Sequence, residues 1–451
     1  MNLTRKNNIA ILLSIVTIIL YFFFAYTLER AQFSKFLFLY IGVFTTSFYL
    51  MKTAKENIKF LTGISILFRL VFLFSIPNLS QDFYRFIWDG RMILEGFNPY
   101  IYLPEDFINQ GTFPINQATE LYAGMGELNG SHFTNYPPLN QLCFWIAAVF
   151  SSKSILGSVF VMRLLIIFAD LGIIYFGKKI LRKLKMPIHN IFWYALNPFI
   201  IIELTGNLHF EPVMLFFLIW GVYQLLNQRF GWAGFLFACS ISIKLIPLLF
   251  LPLFYQWFVK QEGVFLKGIK NLMVFYSIIL ATSFLLFLPF YSNTLIDNYS
   301  SSVGLWFNNF EFNASFYYVF REIGYLFRGY NEIAIIGKII PLLTILFLGT
   351  ITFFRKNSAP VALITAMLFA LSFYYFTTTT MHPWYLATLI ILSVFTKYRF
   401  PIIWSTVIIL SYAAYSNEVY KENLLLVALE YVIVYGFLIW ELFIRPKKNI
   451  M

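Results

Sequence analysis

Long apolar stretches alternate with short polar segments along almost the whole chain. An α-helix needs about 20 apolar residues to cross a bilayer, within a range of about 17–25, and most of these stretches approach that length. The pattern therefore predicts an all-α polytopic membrane protein with about 13–14 transmembrane helices. The predicted spans are 9–26, 35–51, 58–77, 155–177, 188–205, 211–227, 230–244, 245–259, 268–291, 334–354, 360–377, 382–397, 400–416 and 422–443.

Composition excludes a soluble fold. Of the 451 residues, 59% are hydrophobic and only 12% are charged, and the mean hydropathy is +0.72. A soluble domain carries about 25% charged residues, so lipid must cover much of this chain. The net charge of +12 is expected to reflect orientation in the membrane, and no nucleic acid partner is predicted. Cys143 and Cys239 lie in apolar runs and are expected to be buried small hydrophobes.

The basic residues predict the orientation of the chain. If the apolar segment 138–150 crossed the membrane, the basic run at 178–185 would lie outside. If the segment is a re-entrant or juxtamembrane helix instead, 21 of the 33 Lys and Arg residues become cytoplasmic. This agrees with the general enrichment of Lys and Arg in short cytoplasmic loops. Its length of 13 residues and the Pro137-Pro138 start favour the second interpretation. Both termini are then cytoplasmic.

This orientation leaves two long segments outside and predicts three regions. Residues 1–57 form two N-terminal spans, 58–291 a catalytic membrane module with the outer loop 78–137, and 292–451 a C-terminal module with the outer loop 292–333. The cytoplasmic loops are short and hold no glycine-rich phosphate-binding loop. A nucleotide-binding site is therefore not expected.

Charged residues cluster at the start of the first outer loop. Asp82, Arg85 and Asp89 are spaced three and four apart, so a helix places them on one face. Ionisable groups beside the low-dielectric core of a membrane are costly and mark functional sites by default. The alternative is an interfacial anchor or a helix-capping salt bridge.

Three of the four histidines also fall on the outer side: His132, His209 and His382. A single histidine is more often a packing residue, but three from separate regions favour a common site. Lys244 lies between two apolar stretches, where it either extends its amine to the surface or pairs with an anion such as a lipid phosphate. Arg163 and Asp170, seven apart in one span, are expected to form a structural ion pair.

No metal site is predicted, because the histidines are scattered and no carboxylate cluster of the type that binds hard cations occurs. Two carboxylates, a cation for phosphate and an outward-facing site without nucleotide fit sugar transfer from a polyprenyl-phosphate donor. A carboxylate would act as general base on the acceptor hydroxyl, and Lys or Arg would neutralise the departing phosphate.

Five motifs, in order, carry a family resemblance. They are residues 81–91 (QDFYRFIWDGR) with 96–100 (GFNPY), 136–139 (YPPL), 206–211 (GNLHFE), 244–247 (KLIP) and 382–385 (HPWY). Over about residues 78–390 the chain resembles glycosyltransferases of the GT-C type, in particular bacterial polyprenol-phosphate-mannose-dependent mannosyltransferases. The YPPL element is similar to the one that opens their juxtamembrane helix.

The resemblance implies a GT-C-like fold and an inverting hexosyltransferase, with mannose as the usual sugar. Asp82 would be the catalytic base, Asp89 would assist, and Lys244 would lie near the lipid phosphate. The substrate-binding residues implied are Arg85, Arg91, Asn98, Tyr100, Asn207, His209, Glu211, Lys244, His382 and Tyr385. The implied partners are a polyprenyl-phosphate-linked donor, a glycan, lipid or protein acceptor, and membrane lipid, with no cofactor.

Two other functions remain open at this stage. A transporter or lipid flippase would also hold charges in an outward-facing cavity, but the Asp82–Tyr100 pattern is not repeated as transporter architecture leads us to expect. A non-catalytic assembly subunit would not need so many ionisable groups at one membrane face. The role of residues 1–57 is left open, because the simplest members of the family lack these two spans.

Overall fold

A computed structural model describes residues 3–261, 265–308, 310–417 and 420–445. The regular secondary structure of this described part of the chain is helical, with loops between the helices and one isolated bridge between Phe312 and Thr380. The α-helices are α1 (Leu3–Thr27), α2 (Phe33–Ala54), α3 (Ile58–Leu70), α4 (Asp82–Leu94), α5 (Pro104–Asn109), α6 (Ala118–Gly130), α7 (Pro138–Phe150), α8 (Ile155–Lys183), α9 (Phe192–Ala195), α10 (Glu211–Leu226), α11 (Phe230–Ile241), α12 (Phe254–Gln261), α13 (Phe265–Phe287), α14 (Leu295–Asn308), α15 (Phe316–Arg328), α16 (Ile333–Phe354), α17 (Pro360–Thr377), α18 (Ala387–Val394), α19 (Phe400–Val407) and α20 (Leu424–Ile439).

Seven helical segments within these ranges are long and apolar enough to cross a membrane, which confirms an all-α polytopic membrane protein. They are Lys6–Thr27, Phe33–Ala54, Ile155–Lys183, Phe265–Phe290, Ile333–Phe354, Pro360–Thr377 and Leu424–Ile444. An eighth candidate is the pair Ile200–Gly206 and Glu211–Leu226, which is bent by 111° at a short break. The first member of this pair is a π-helix, a conformation often found at functional sites.

The other predicted spans correspond to shorter or interrupted helices. Five apolar helical segments of intermediate length are Pro138–Phe150, Phe230–Ile241, Ile246–Lys260, Pro383–Val394 and Phe400–Ser416. At 1.5 Å per residue such segments are shorter than the roughly 30 Å hydrocarbon core. The number of 13–14 spans therefore stays a prediction, and so do the boundaries of the three regions.

Intramembrane charges pair differently from the prediction. The expected ion pair between Arg163 and Asp170 is wrong. Asp170 instead pairs with Arg69 of α3, with Nε of the arginine 2.7 Å from Oδ2. Arg163 donates to backbone carbonyls, among them those of Thr205 and Gly206 at 2.8 Å each. These carbonyls are available because the π-helix and the break after it interrupt the regular α-helical hydrogen bonds, which would otherwise occupy them.

The segment predicted as the first outer loop is built on a close contact between α4 and α7. Phe86 and Phe144 stack with ring centroids 4.7 Å apart. A Cβ placed on Gly90 would lie 2.2 Å from the carbonyl oxygen of Phe144, so only glycine permits this approach. The start of α7 is held by Ser242, whose carbonyl accepts from the Leu139 amide at 3.0 Å. These contacts pack α7 against α4, and the predicted re-entrant or juxtamembrane placement of 138–150 stays a prediction.

The two N-terminal helices pack against both later regions. Tyr40 of α2 donates to the carbonyl of Ser405 at 2.6 Å. The Asn78 side chain, just before α4, donates to the carbonyls of Phe24 and Leu28 at 2.8 and 3.0 Å. The loop between α1 and α2 is thereby held next to the start of the first outer loop.

Candidate functional site

Asp82 begins α4 and is only partly buried. Its backbone amide donates to the Ser80 hydroxyl at 3.3 Å, and its carboxylate interacts electrostatically with Lys244 and Arg30. Burial raises the pKa of Asp82 above its ordinary value, while these two cations act in the opposite direction. A carboxylate with a raised pKa is a stronger proton acceptor once it is ionised, which suits a general base.

Arg85 and Asp89 form a closed network one and two turns later. Arg85 Nε lies 2.8 Å from Asp89 Oδ1, and its Nη1 donates to the carbonyls of Asn129 and His132. The second oxygen of Asp89 accepts from Gln141 of α7 at 2.9 Å. Asp89 is 1% exposed, so its carboxylate is held by two donors inside the protein. Through these contacts the Arg85–Asp89 pair positions α4 against α6 and α7.

Lys244 is paired within the protein. Its Nζ lies 2.5 Å from Oε1 of Glu211, the first residue of α10 after the 111° bend. The lysine side chain is 18% exposed and the glutamate 3%, so the pair reaches the edge of the buried region. The other carboxylate oxygen of Glu211 has no hydrogen-bond partner among the described residues.

Two of the three histidines predicted on the outer side contact one tryptophan. The rings of His209 and His382 lie on Trp384 with centroid distances of 3.9 and 4.5 Å and interplanar angles of 16° and 6°. Phe312, from the second outer loop, continues the row on His382 at 5.4 Å. His132 is not part of this row; its Nδ1 lies 2.7 Å from the carbonyl of Leu128. The prediction that histidines from separate regions converge thus applies to two of them.

Arg30, in the loop between α1 and α2, was not predicted. Its guanidinium carbon lies 3.2 Å above the ring centroid of Tyr415, and that ring lies 6.0 Å from Phe312. Arg30 also interacts electrostatically with Asp82 and Glu203. A signal for it exists in the sequence, because an arginine in a connection predicted to be outside goes against the cytoplasmic bias of basic residues.

Comparison with known proteins decides the family. The sequence model of the family described as alpha-(1->6)-mannopyranosyltransferase, N-terminal domain, matches residues 18–260, which is more than half of the chain. The chain belongs to this mannosyltransferase family. It is also 26% identical over 193 residues to alpha-(1->6)-mannopyranosyltransferase A of Corynebacterium glutamicum. That match covers 41% of this chain and 36% of the relative.

The family match and the site overlap only in part. Arg30, Asp82, the Arg85–Asp89 pair and Lys244 lie within the matched residues. The segment that carries His382, Trp384 and Tyr385 lies beyond them. Tyr385 is partly buried, stacks on Tyr375 at 6.0 Å and interacts electrostatically with Asp82 and Glu211. The half of the chain outside the family match therefore still contributes to the site.

Three of the remaining predicted residues hold loops around the candidate site. Arg91 donates to the carbonyl of Asn116 at 2.6 Å, and desolvation lowers its pKa to about 10. Asn98 donates to the carbonyl of Phe290 at 2.8 Å, and the Tyr100 hydroxyl to that of Tyr136 at 2.6 Å.

Asn207 links the broken span to the first outer loop. Its side-chain oxygen accepts from the Leu79 amide at 3.0 Å, and its amide nitrogen donates to the carbonyl of Ile202 at 3.1 Å. Asn207 is fully buried. The structure thus brings one group of predicted residues together in the candidate site: Asp82, His209, Glu211, Lys244, His382 and Tyr385. The other group supports the surrounding loops: Arg91, Asn98, Tyr100 and Asn207.

Proposed function

We propose that the protein transfers mannose from a polyprenyl-phosphate-mannose donor to an acceptor hydroxyl at the outer face of the cell membrane. The observation that carries the proposal is a partly buried aspartate, Asp82, beside Lys244 and Arg30 in a chain of the mannosyltransferase family. The C. glutamicum relative is by its name a mannosyltransferase of α-(1→6) specificity, which supports mannose as the sugar.

In the proposed reaction Asp82 acts as the general base. Its carboxylate accepts the proton of the acceptor hydroxyl while that oxygen attacks the anomeric carbon of mannose. The bond between the anomeric carbon and the phosphate oxygen breaks, and its electron pair leaves with the polyprenyl phosphate. Attack and departure on opposite faces of the sugar give inversion.

The neighbouring groups have supporting parts in the proposal. The Lys244–Glu211 pair provides a positive end near the phosphate, with Glu211 fixing the amine. Arg85 and Asp89 hold the start of α4 in place, which makes Asp89 a positioning residue and not a second base. His209 and His382 hold Trp384 between them, and Tyr385 interacts with the carboxylates of Asp82 and Glu211.

The proposal also includes the orientation of the chain, with both termini in the cytoplasm.

Transfer by the purified protein in lipid tests the proposal. Wild type is expected to move radiolabelled mannose from polyprenyl phosphate to acceptors in membranes. Asp82→Asn is expected to lower transfer by about 10²–10⁴-fold, as loss of a general base does. Asp106→Asn is the matched control, because Asp106 is an exposed carboxylate of the same outer loop.

Two outcomes would contradict the proposal. Equal transfer by wild type and Asp82→Asn would remove Asp82 from the chemistry. If wild type transferred no sugar from mannose, glucose or arabinose donors but moved the donor lipid between leaflets, the protein would be a flippase.

A further inference from the structure

The cations around Asp82 differ in how far the protein already neutralises them. Lys244 is paired with Glu211, and Arg85 is paired with Asp89 and two carbonyls. Arg30 contacts the face of Tyr415, and its Nε is buried without a hydrogen-bond partner within the described ranges. Arg85 Nη2 also lacks a partner within these ranges, but Arg85 already has a carboxylate countercharge, whereas Arg30 forms no ion pair with a carboxylate in that part of the chain. A guanidinium carries five N–H donors, so Arg30 keeps donors for an anion.

The proposed reaction creates a negative charge that needs such a group. A sugar phosphodiester donor carries one negative charge. The phosphate monoester that leaves has a second ionisation near pH 6, so it carries about one and a half to two charges at neutral pH. The Lys244–Glu211 pair offers a positive end to the phosphate but has no net charge, so it does not balance the additional charge that develops. Electrostatic stabilisation placed where charge develops is the effect that accelerates such a step.

We propose that Arg30 binds the phosphate of the lipid-linked donor and stabilises the second negative charge as mannose leaves. This inference rests on the proposed function. Planar guanidinium groups match phosphate with two parallel hydrogen bonds, which a lysine does not offer. The inference also gives residues 1–57 a role, because the loop between α1 and α2 supplies this cation.

The geometry places Arg30 at one end of a continuous aromatic row. Tyr415 supports the guanidinium, Phe312 follows at 6.0 Å, and His382 follows Phe312 at 5.4 Å. The row then passes through Trp384 to His209. A cation on an aromatic face is attracted to the ring quadrupole yet keeps its N–H edge open to an anion. Tyr415 is therefore a positioning residue for Arg30.

Arg30 is also coupled to the proposed base. Its charge lowers the pKa of Asp82, against the larger effect of burial. Loss of this charge should therefore raise the pKa of Asp82 and move the acid limb of the pH–rate profile to higher pH. A purely structural role for Arg30 would not shift this limb.

The test compares Arg30→Gln with Lys35→Gln in the full-length protein in lipid. Both variants lose one positive charge from the same region, and Lys35 is exposed and donates to the carbonyl of Thr27. The measurements are kcat/KM for mannose transfer, its pH profile, and the affinity for polyprenyl phosphate. Arg30→Gln is expected to lower kcat/KM by about 10- to 100-fold, the usual size of a lost charged hydrogen bond. Its affinity for polyprenyl phosphate should fall more than its affinity for the donor, and Lys35→Gln should match wild type.

Binding of polyprenyl phosphate to Asp82→Asn, with and without Arg30→Gln, separates this inference from the proposed function. Unchanged phosphate affinity on loss of Arg30, or unchanged kcat/KM, overturns the inference even where wild type transfers mannose. Absence of transfer by wild type contradicts the proposed function instead. If Arg30→Gln does not fold, Tyr415→Leu removes the supporting ring; weaker phosphate binding is then expected, and unchanged binding overturns the inference.

Discussion

Asp82 and Asp89 occupy one helix face but lie in different surroundings. Asp89 is enclosed by Arg85 and Gln141 and is 1% exposed. Asp82, two turns earlier, is partly exposed and interacts with Lys244 and Arg30 through space. A carboxylate that two donors hold inside the protein contributes to structure, whereas one at the edge of a charged cluster is available to a substrate. The proposed function therefore gives the two aspartates different roles.

Replacing each aspartate by asparagine should change the thermal stability of the protein in different ways. Asp89→Asn leaves Arg85 buried without its countercharge, and breaking a buried ion pair on one side costs about 3–5 kcal/mol. We expect a clear fall in the thermal unfolding midpoint in detergent. Asp82→Asn should unfold at or above the wild-type temperature, because it removes a charge that burial disfavours. Equal destabilisation by the two variants would contradict this division.

Two local features of the backbone create the site. The π-helix Ile200–Gly206 ends in a bend of 111°, which delivers His209 and Glu211 at the start of α10. The contact between α4 and α7 is close because Gly90 has no Cβ. The hydrogen bond from Gln141 to Asp89 crosses that same contact.

A methyl group at Gly90 should therefore disturb the site. In Gly90→Ala the new Cβ would lie 2.2 Å from the Phe144 carbonyl oxygen, so α4 and α7 must separate. Overpacking of this kind costs about 1–3 kcal/mol, and we expect lower thermal stability together with lower transferase activity. Gly63→Ala is the control, since a Cβ there meets nothing within 4 Å. If both variants behaved like wild type, the close contact would be refuted.

At the scale of the whole molecule, the site draws on all three predicted regions. Arg30 comes from the first two helices, Asp82 and Lys244 from the middle of the chain, and His382 from the C-terminal part. The contacts of Tyr40 with Ser405 hold the first and last regions together. The proposed reaction requires all these groups to face the outside of the cell.

Single cysteines test this orientation. Lys185→Cys follows α8 and Gln110→Cys lies in the first outer loop, and both positions are exposed. An impermeant thiol reagent applied outside intact cells should label position 110 and leave position 185 unlabelled until the membrane is opened. The native Cys143 and Cys239 are buried and should react slowly. Labelling of position 185 from outside would show that α7 crosses the membrane.

The sequence by itself determined the class of protein and named most residues of the candidate site, whose roles stay a prediction. Apolar stretches of membrane-spanning length require lipid around them whatever their packing. In lipid each stretch must satisfy its own backbone hydrogen bonds, so the all-α polytopic fold follows from the composition and from the length and spacing of these stretches. Asp82, His209, Lys244 and His382 stand out because ionisable groups are rare and costly in such a chain.

Only the tertiary structure decided which charges are paired. Asp170 pairs with Arg69 across 101 positions instead of with Arg163 on its own helix, and Lys244 pairs with Glu211. The fold also brings the loop that carries Arg30 close enough to Asp82 for the two charges to interact. The physical reason is that ion pairing and desolvation depend on separation in space and on what else surrounds each group, which spacing along the chain does not contain.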